Sequence, residues 1–162
     1  VLKSLKNLYI EHNLNLKLII VGGKFSAYKN VNKFINENKY LDISYLGNVS
    51  FKKLLSLFKN CRFLISPAIY ESSSIPILEA CKIGRPVIAS KSKSNLEMSK
   101  TFEINFFETL NHKNLTSLLL RIWDNKRLIN SNIKKNSKAI NKFSWDKISD
   151  EYLKIFLNLS KR

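Results

Sequence analysis

The chain reads as an α/β protein, a Rossmann-like parallel sheet with helices on both faces, and three features lead there. Short apolar runs alternate with helical patterns along all 162 residues. Alternation of this kind implies parallel strands joined by crossover helices. No internal repeat or low-complexity linker interrupts the order, and a chain of this length buries most of its surface around one core without disulfide or metal, so residues 1–162 are read as one domain.

The elements follow in order. The opening VLKSLKNLYIEHN has a helical pattern. Residues 16–22 (LKLIIVG) form a buried strand ending in Gly22 and Gly23, residues 28–38 a helix, and residues 41–46 (LDISYL) a second strand. Ser50 caps a short helix whose Phe51, Leu54, Leu55 and Phe58 recur at i, i+3, i+4 and i+7, the mark of one buried stripe. Residues 62–67 give a third strand, Pro76–Ile83 a helix opened by proline and closed by Gly84, and Pro86–Ala89 a fourth strand. Phe102–Phe107 is a fifth. Leu115, Leu118, Leu119 and Ile122 mark the next helix, and a basic helix spans 126–141. A closing helix over 144–160 has Ser144 as its cap and an apolar stripe of Trp145, Ile148, Tyr152, Ile155, Phe156 and Leu159.

The most informative stretch is YESSSIPILEA, where Glu71 and Glu79 flank a strand-to-helix turn. In an open parallel sheet such a turn lies at the carboxyl edge, where ligands bind, and the helix that follows presents unpaired N–H groups to an anion. With Pro76 read as the first helical residue, Glu79 falls in the opening turn and leans back toward the ligand side. A carboxylate offers two acceptor oxygens, which suits a pair of vicinal hydroxyls. An acidic helix start that merely complements the macrodipole explains the same two residues when they are taken alone.

Three segments carry a wider likeness: LKLIIVGG, then YLGNVSFKKLLSLFKNCRFLISPAIYESSSIPILEACKIGRPVIAS, then the closing FSWDKISDEYLKIF. In order and distance they resemble the carboxyl-terminal donor domain of the family 4 type, group 1 glycosyltransferases of the GT-B fold, whose hallmark is an E-x7-E element. The resemblance implies a retaining transferase that carries a sugar from a nucleotide-diphosphate sugar to a glycan or lipid-linked acceptor. Glu71 would be the catalytic residue that orients the sugar. Glu79 would anchor the ribose, Gly47, Asn48 and Val49 would lie beside the base, and Ser72, Ser73, Ser74 and Ile75 would meet the diphosphate. Departure of the diphosphate puts negative charge on the leaving group, which fixed N–H dipoles stabilise. The family also implies an amino-terminal acceptor domain, absent here, toward which the closing helix packs, and a basic pair just before Val1. Since the chain starts at Val1 inside a helical pattern, with Met98 its only methionine, a cut from a longer protein is expected, and the fragment alone is expected to transfer little or nothing.

One departure stands out. The family usually places glycines in the loop where this chain has Ser72, Ser73 and Ser74. Glycine lets backbone approach phosphate and tolerates positive φ, so serine threatens crowding while offering an extra hydroxyl donor. A noncatalytic nucleotide-sugar-binding or scaffolding remnant is the alternative this leaves open.

The charge is a rival clue. Against 12 acidic residues stand 28 basic ones, for a formal net of +16. Nucleic acid is not the expected partner: the basic residues are mostly lysine, spread out, and not interleaved with stacking aromatics. Lys126, Arg127, Lys134, Lys135, Lys138 and Lys142 read as a solvated helix face, and peripheral contact with the inner face of a membrane is the functional version the family suggests. No run of apolar residues is long enough to span a bilayer, and a cytoplasmic place is expected. Cys61 and Cys81 lack C-x-x-C spacing and read as core thiols of a reducing compartment. His12 and His112 have no ligand-spaced partners, so neither a metal nor a cofactor beyond the donor substrate is expected. Ser92–Glu97, after the fourth strand, is a further candidate for the cleft.

Overall fold

The computed structural model describes residues 1–72 and 74–160. Its order is α1 (Leu2–His12), β1 (Leu18–Val21), α2 (Tyr28–Glu37), β2 (Ile43–Gly47), α3 (Phe51–Asn60), β3 (Leu64–Ser66), α4 (Ile75–Ile83), β4 (Val87–Ser90), α5 (Lys93–Met98), β5 (Ile104–Phe107), α6 (His112–Ile122), α7 (Lys126–Ile140) and α8 (Trp145–Leu159). Every strand pairing is parallel. The strands fall into two hydrogen-bonded groups, β1–β2 and β3–β4–β5, where the sequence suggests one sheet. With only three residues, β3 is registered wholly on β4, and side chains rather than ladder bonds join the groups: Leu18 and Ile20 share a core with Phe63 and Ile65.

The pleat sorts that core into two layers. In β4, Ile88 packs with Leu5 and Leu8 of α1 and with Leu115, Leu118, Leu119 and Ile122 of α6. Its neighbours Val87 and Ala89 pack with Phe58 of α3, Ile77, Ala80 and Cys81 of α4, and Ile140 of α7. Because successive strand residues point to opposite faces, these two clusters are the two sides of one sheet, each covered by helices. All four residues of β4 are buried, as a central parallel strand requires.

Short polar residues start the helices where the sequence places them. Ser50 Oγ accepts from Lys53 N–H at 3.3 Å and Ser144 Oγ from Lys147 N–H at 3.3 Å, each satisfying an amide the helix leaves unpaired. Gly84, at φ +74°, ends α4 in the left-handed conformation that glycine adopts without strain. Three details differ from the sequence reading. Phe51, assigned to the buried stripe of α3, is 74% exposed, because it is the first residue of the helix and borders an open groove between α3 and α4 instead of packing beneath α4. Residues 93–98 form a helix capped by Ser92, a segment too short to show a period. The apolar stripe of α8 exists but buries no residue: Trp145 is 84% and Phe156 61% exposed.

Candidate functional site

Parallel pairing brings the carboxyl ends of neighbouring strands together, and the loops that leave them carry the candidate residues. At the β1–β2 edge, Gly22 N–H donates to Gly47 C=O at 3.0 Å, and the Tyr45 hydroxyl donates to Gly22 C=O at 2.7 Å. Both glycines hold positive φ, +139° and +65°, so their sharp exits depend on the missing Cβ. The Tyr45 ring lies 4.9 Å from that of Tyr28, which braces the same loop. Asn48 is exposed and Val49 half-buried, leading directly into the Ser50 cap of α3.

At the β3–β4 edge the chain leaves Ser66 and runs to Ser74, the N-cap of α4. Glu71 is half-buried in this loop, and its Oε1 is enclosed with no hydrogen-bond partner among the described residues. A carboxylate oxygen shut away without a donor is costly, so this atom stands ready for one. Ser72 is exposed and Ser73 lies outside the described residues. Ser74 is fully enclosed, its hydroxyl makes no cap bond, and its carbonyl accepts from both Ile77 N–H (3.1 Å) and Leu78 N–H (3.4 Å).

The helix begins one residue earlier than its proline suggests, at an exposed Ile75. Pro76 has no N–H to give, and Ile77 and Leu78 are already engaged with Ser74, so an anion here would meet the Ile75 amide rather than those deeper in the helix. Glu79 is the fifth residue of α4, not within its opening turn, and is half-buried. It lines a groove of about 220 Å³ between α3 and α4 with Phe51, Leu54, Leu55, Phe58, Lys82 and Ile83. Apart from Glu79 and Lys82 the lining of this groove is apolar, and it runs along α3 and α4 toward the carboxyl end of α4. Among the described residues neither Glu71 nor Glu79 is in an ion pair, so both carboxylates are uncommitted.

Sequence reading missed Ser90, and it named Asn95 only within Ser92–Glu97, as a candidate for the cleft rather than for fixing these loops. Ser90, at the end of β4 and 1% exposed, donates its hydroxyl to Ala68 C=O, and Asn95 Nδ2 donates to Ser90 C=O at 3.0 Å. A serine closing an otherwise apolar strand was the available signal. Ser92 serves α5, its Oγ accepting from Asn95 N–H at 3.3 Å, and is buried. Thr109, just past β5, also holds an enclosed hydroxyl without a partner among the described residues. No cluster of three or more His, Cys, Asp or Glu suited to a metal occurs among the described residues, and no described helix is long and apolar enough to cross a membrane.

Relatives share this architecture. An uncharacterized glycosyltransferase of Methanocaldococcus jannaschii is 27% identical over 149 residues, which is 91% of this chain and 42% of that protein. The chain thus spans less than half of that relative. Among solved structures, a glycosyltransferase from Rickettsia africae superposes with a TM-score of 0.80 at 20% identity, covering 99% of this chain and 45% of its own. HepE of Anabaena, solved in complex with UDP-glucose, gives 0.70 at 19% identity over 88% of this chain and 41% of its own. These likenesses show the fold of one half of a GT-B glycosyltransferase. The model of the family described as glycosyl transferases group 1 matches residues 1–141, nearly the whole of the chain, and the chain belongs to that family.

Proposed function

We propose that this chain is the donor-binding half of a retaining glycosyltransferase that takes a sugar from a nucleotide-diphosphate sugar. The observation that carries the reading is the enclosed, unpartnered Oε1 of Glu71, held where β3 gives way to the amino end of α4. Glu71 receives hydroxyls of the sugar and steadies positive charge on its reacting carbon. The Ile75 amide, with the Ser72 hydroxyl, faces the diphosphate, and these fixed dipoles favour its departure. Glu79 takes the ribose hydroxyls from its groove, and Gly47–Val49 border the base. The UDP-glucose complex of HepE supports the substrate class, and the uncommitted state of both carboxylates fits it.

The acceptor, a glycan or a lipid-linked one, binds the other half of the GT-B fold, outside these 162 residues. That half covers the apolar stripe of α8, which the chain leaves bare. The lysine excess, a net +16, suits work against an anionic membrane on the cytoplasmic side.

Calorimetric titration with UDP, GDP, ADP and their glucose conjugates tests the reading. One nucleotide should bind, and Glu79→Gln should weaken it about tenfold or more, the worth of one to two hydrogen bonds to a charged acceptor. Heat that is absent for every nucleotide, or indifferent to Glu79, favours a noncatalytic remnant in which the serine loop has closed the phosphate site.

A further inference from the structure

Between β3 and β4 the backbone ladder stops at Ser66 and Ala89. The next residue of β4, Ser90, stays registered on β5 opposite Phe107 but has no ladder partner on β3. Its side chain takes over that role. The buried hydroxyl donates across the gap to Ala68 C=O, catching the outgoing chain two residues past its last ladder pair and three residues before Glu71. Ser90 itself is held from behind. Asn95, fully buried on α5, donates to Ser90 C=O at 3.0 Å, Ser92 N–H donates to the same carbonyl at 2.8 Å, and Lys91 N–H is fixed to Phe107 C=O at 3.0 Å.

This geometry has a consequence for the carboxylate. Where a strand ends, its backbone groups usually turn to water and the exit direction loosens. Here one side-chain hydroxyl ties the exit to a rigid, wholly buried strand, so the path from Ala68 to Glu71 is short and anchored at its root. We propose that Ser90 is a positioning residue: through Ala68 it aims the loop that delivers Glu71, with Asn95 locking Ser90 in turn. It touches no ligand itself. The effect on donor binding rests on the functional reading above, whereas the tether does not.

A matched pair of substitutions tests it on the 162-residue chain. Ser90→Thr keeps the hydroxyl, and Ser90→Val has the same branched shape without it, so any packing disturbance is common to both. Hydrogen exchange by mass spectrometry should show peptides over residues 67–72 exchanging about tenfold faster in the valine variant than in the threonine one, the equivalent of one lost hydrogen bond. Peptides over β2 and α6 should match in the two. The nucleotide that binds the unsubstituted chain, among UDP, GDP and ADP, should bind the valine variant about tenfold more weakly than the threonine variant.

Equal exchange over 67–72 in the two variants overturns the tether. Unequal exchange with equal nucleotide affinity overturns its part in the site. If the unsubstituted chain binds none of the nucleotides, the donor reading fails and with it the role in the site, while the exchange contrast still decides the tether.

Discussion

The side chain of Asn136 in α7 pairs with both backbone groups of Glu103 at the threshold of β5: Oδ1 accepts from Glu103 N–H at 2.7 Å and Nδ2 donates to Glu103 C=O at 3.0 Å. One amide thus stands in for a neighbouring strand. Asn136 is 1% exposed, so water cannot replace either bond. It fixes where β5 begins and seats α7 against the edge of the sheet. Asn136→Leu, close in volume, should lower unfolding free energy by about 3 kcal/mol, since two backbone groups lose their partners. The neighbouring ion pair of Lys135 with Glu103 is exposed, and Lys135→Ala should cost no more than about 0.5 kcal/mol. Urea denaturation of both variants measures the contrast; equal losses would mean the amide pairing carries no special weight.

Gly84 ends α4 at φ +74° with room to spare, because a Cβ there would meet only Ile133 Cγ2 at 3.6 Å and Ser137 Oγ at 4.0 Å. Gly84→Ala should therefore cost the backbone term alone, about 1–2 kcal/mol. A thermal midpoint that does not move would show that the turn relaxes to negative φ.

Although α8 contributes fifteen residues, it contributes nothing to the core. Ending the chain after Phe143, whose ring still packs 5.5 Å from that of Phe102, should leave the thermal midpoint within about 2 °C of the original. A larger fall would show that α8 folds back on this half. The truncated chain should also self-associate less, because the large exposed apolar face goes with the helix.

The two thiols should behave differently. Cys81 is fully enclosed, and loss of solvation pushes its thiol from the ordinary 9.0 up to about 12. Cys61 is half-buried and shifted upward by the same cause, with the Arg85 guanidinium pulling the other way. An exposed-thiol reagent at neutral pH should label Cys61 first and reach Cys81 only on unfolding. A raised thiol pKa means that the folded chain keeps a proton the unfolded chain sheds, so stability from this group is whole below pH 9 and declines as pH climbs toward 12. Comparison with Cys81→Ala isolates that slope, and parallel pH profiles for the two chains would refute it.

Much of this could be read in one dimension. Apolar runs of strand length, proline at the start and glycine at the end of α4, and Ser50 and Ser144 before their helices are local signals, written within a few residues of the structure they specify. Leu115, Leu118, Leu119 and Ile122 announced a buried face by spacing alone, and all four are buried. The same logic failed for Phe51 and for α8, since a period says which face is apolar and not whether anything covers it. Burial is a property of the partner.

For the site, sequence located the turn, the two glutamates and the family whose pattern they match. What it could not reach are relations between residues distant along the chain: Ser90 with Ala68, Asn136 with Glu103, Tyr45 with Gly22, each a polar side chain ending a strand's run of bonds on some other segment. Short-range chemistry sets the elements because backbone preference and capping act over a turn or less. Only the packed fold decides where strand exits point, how deep Ser74 lies and which carboxylate oxygen is left unpartnered, because those depend on what the rest of the chain brings alongside.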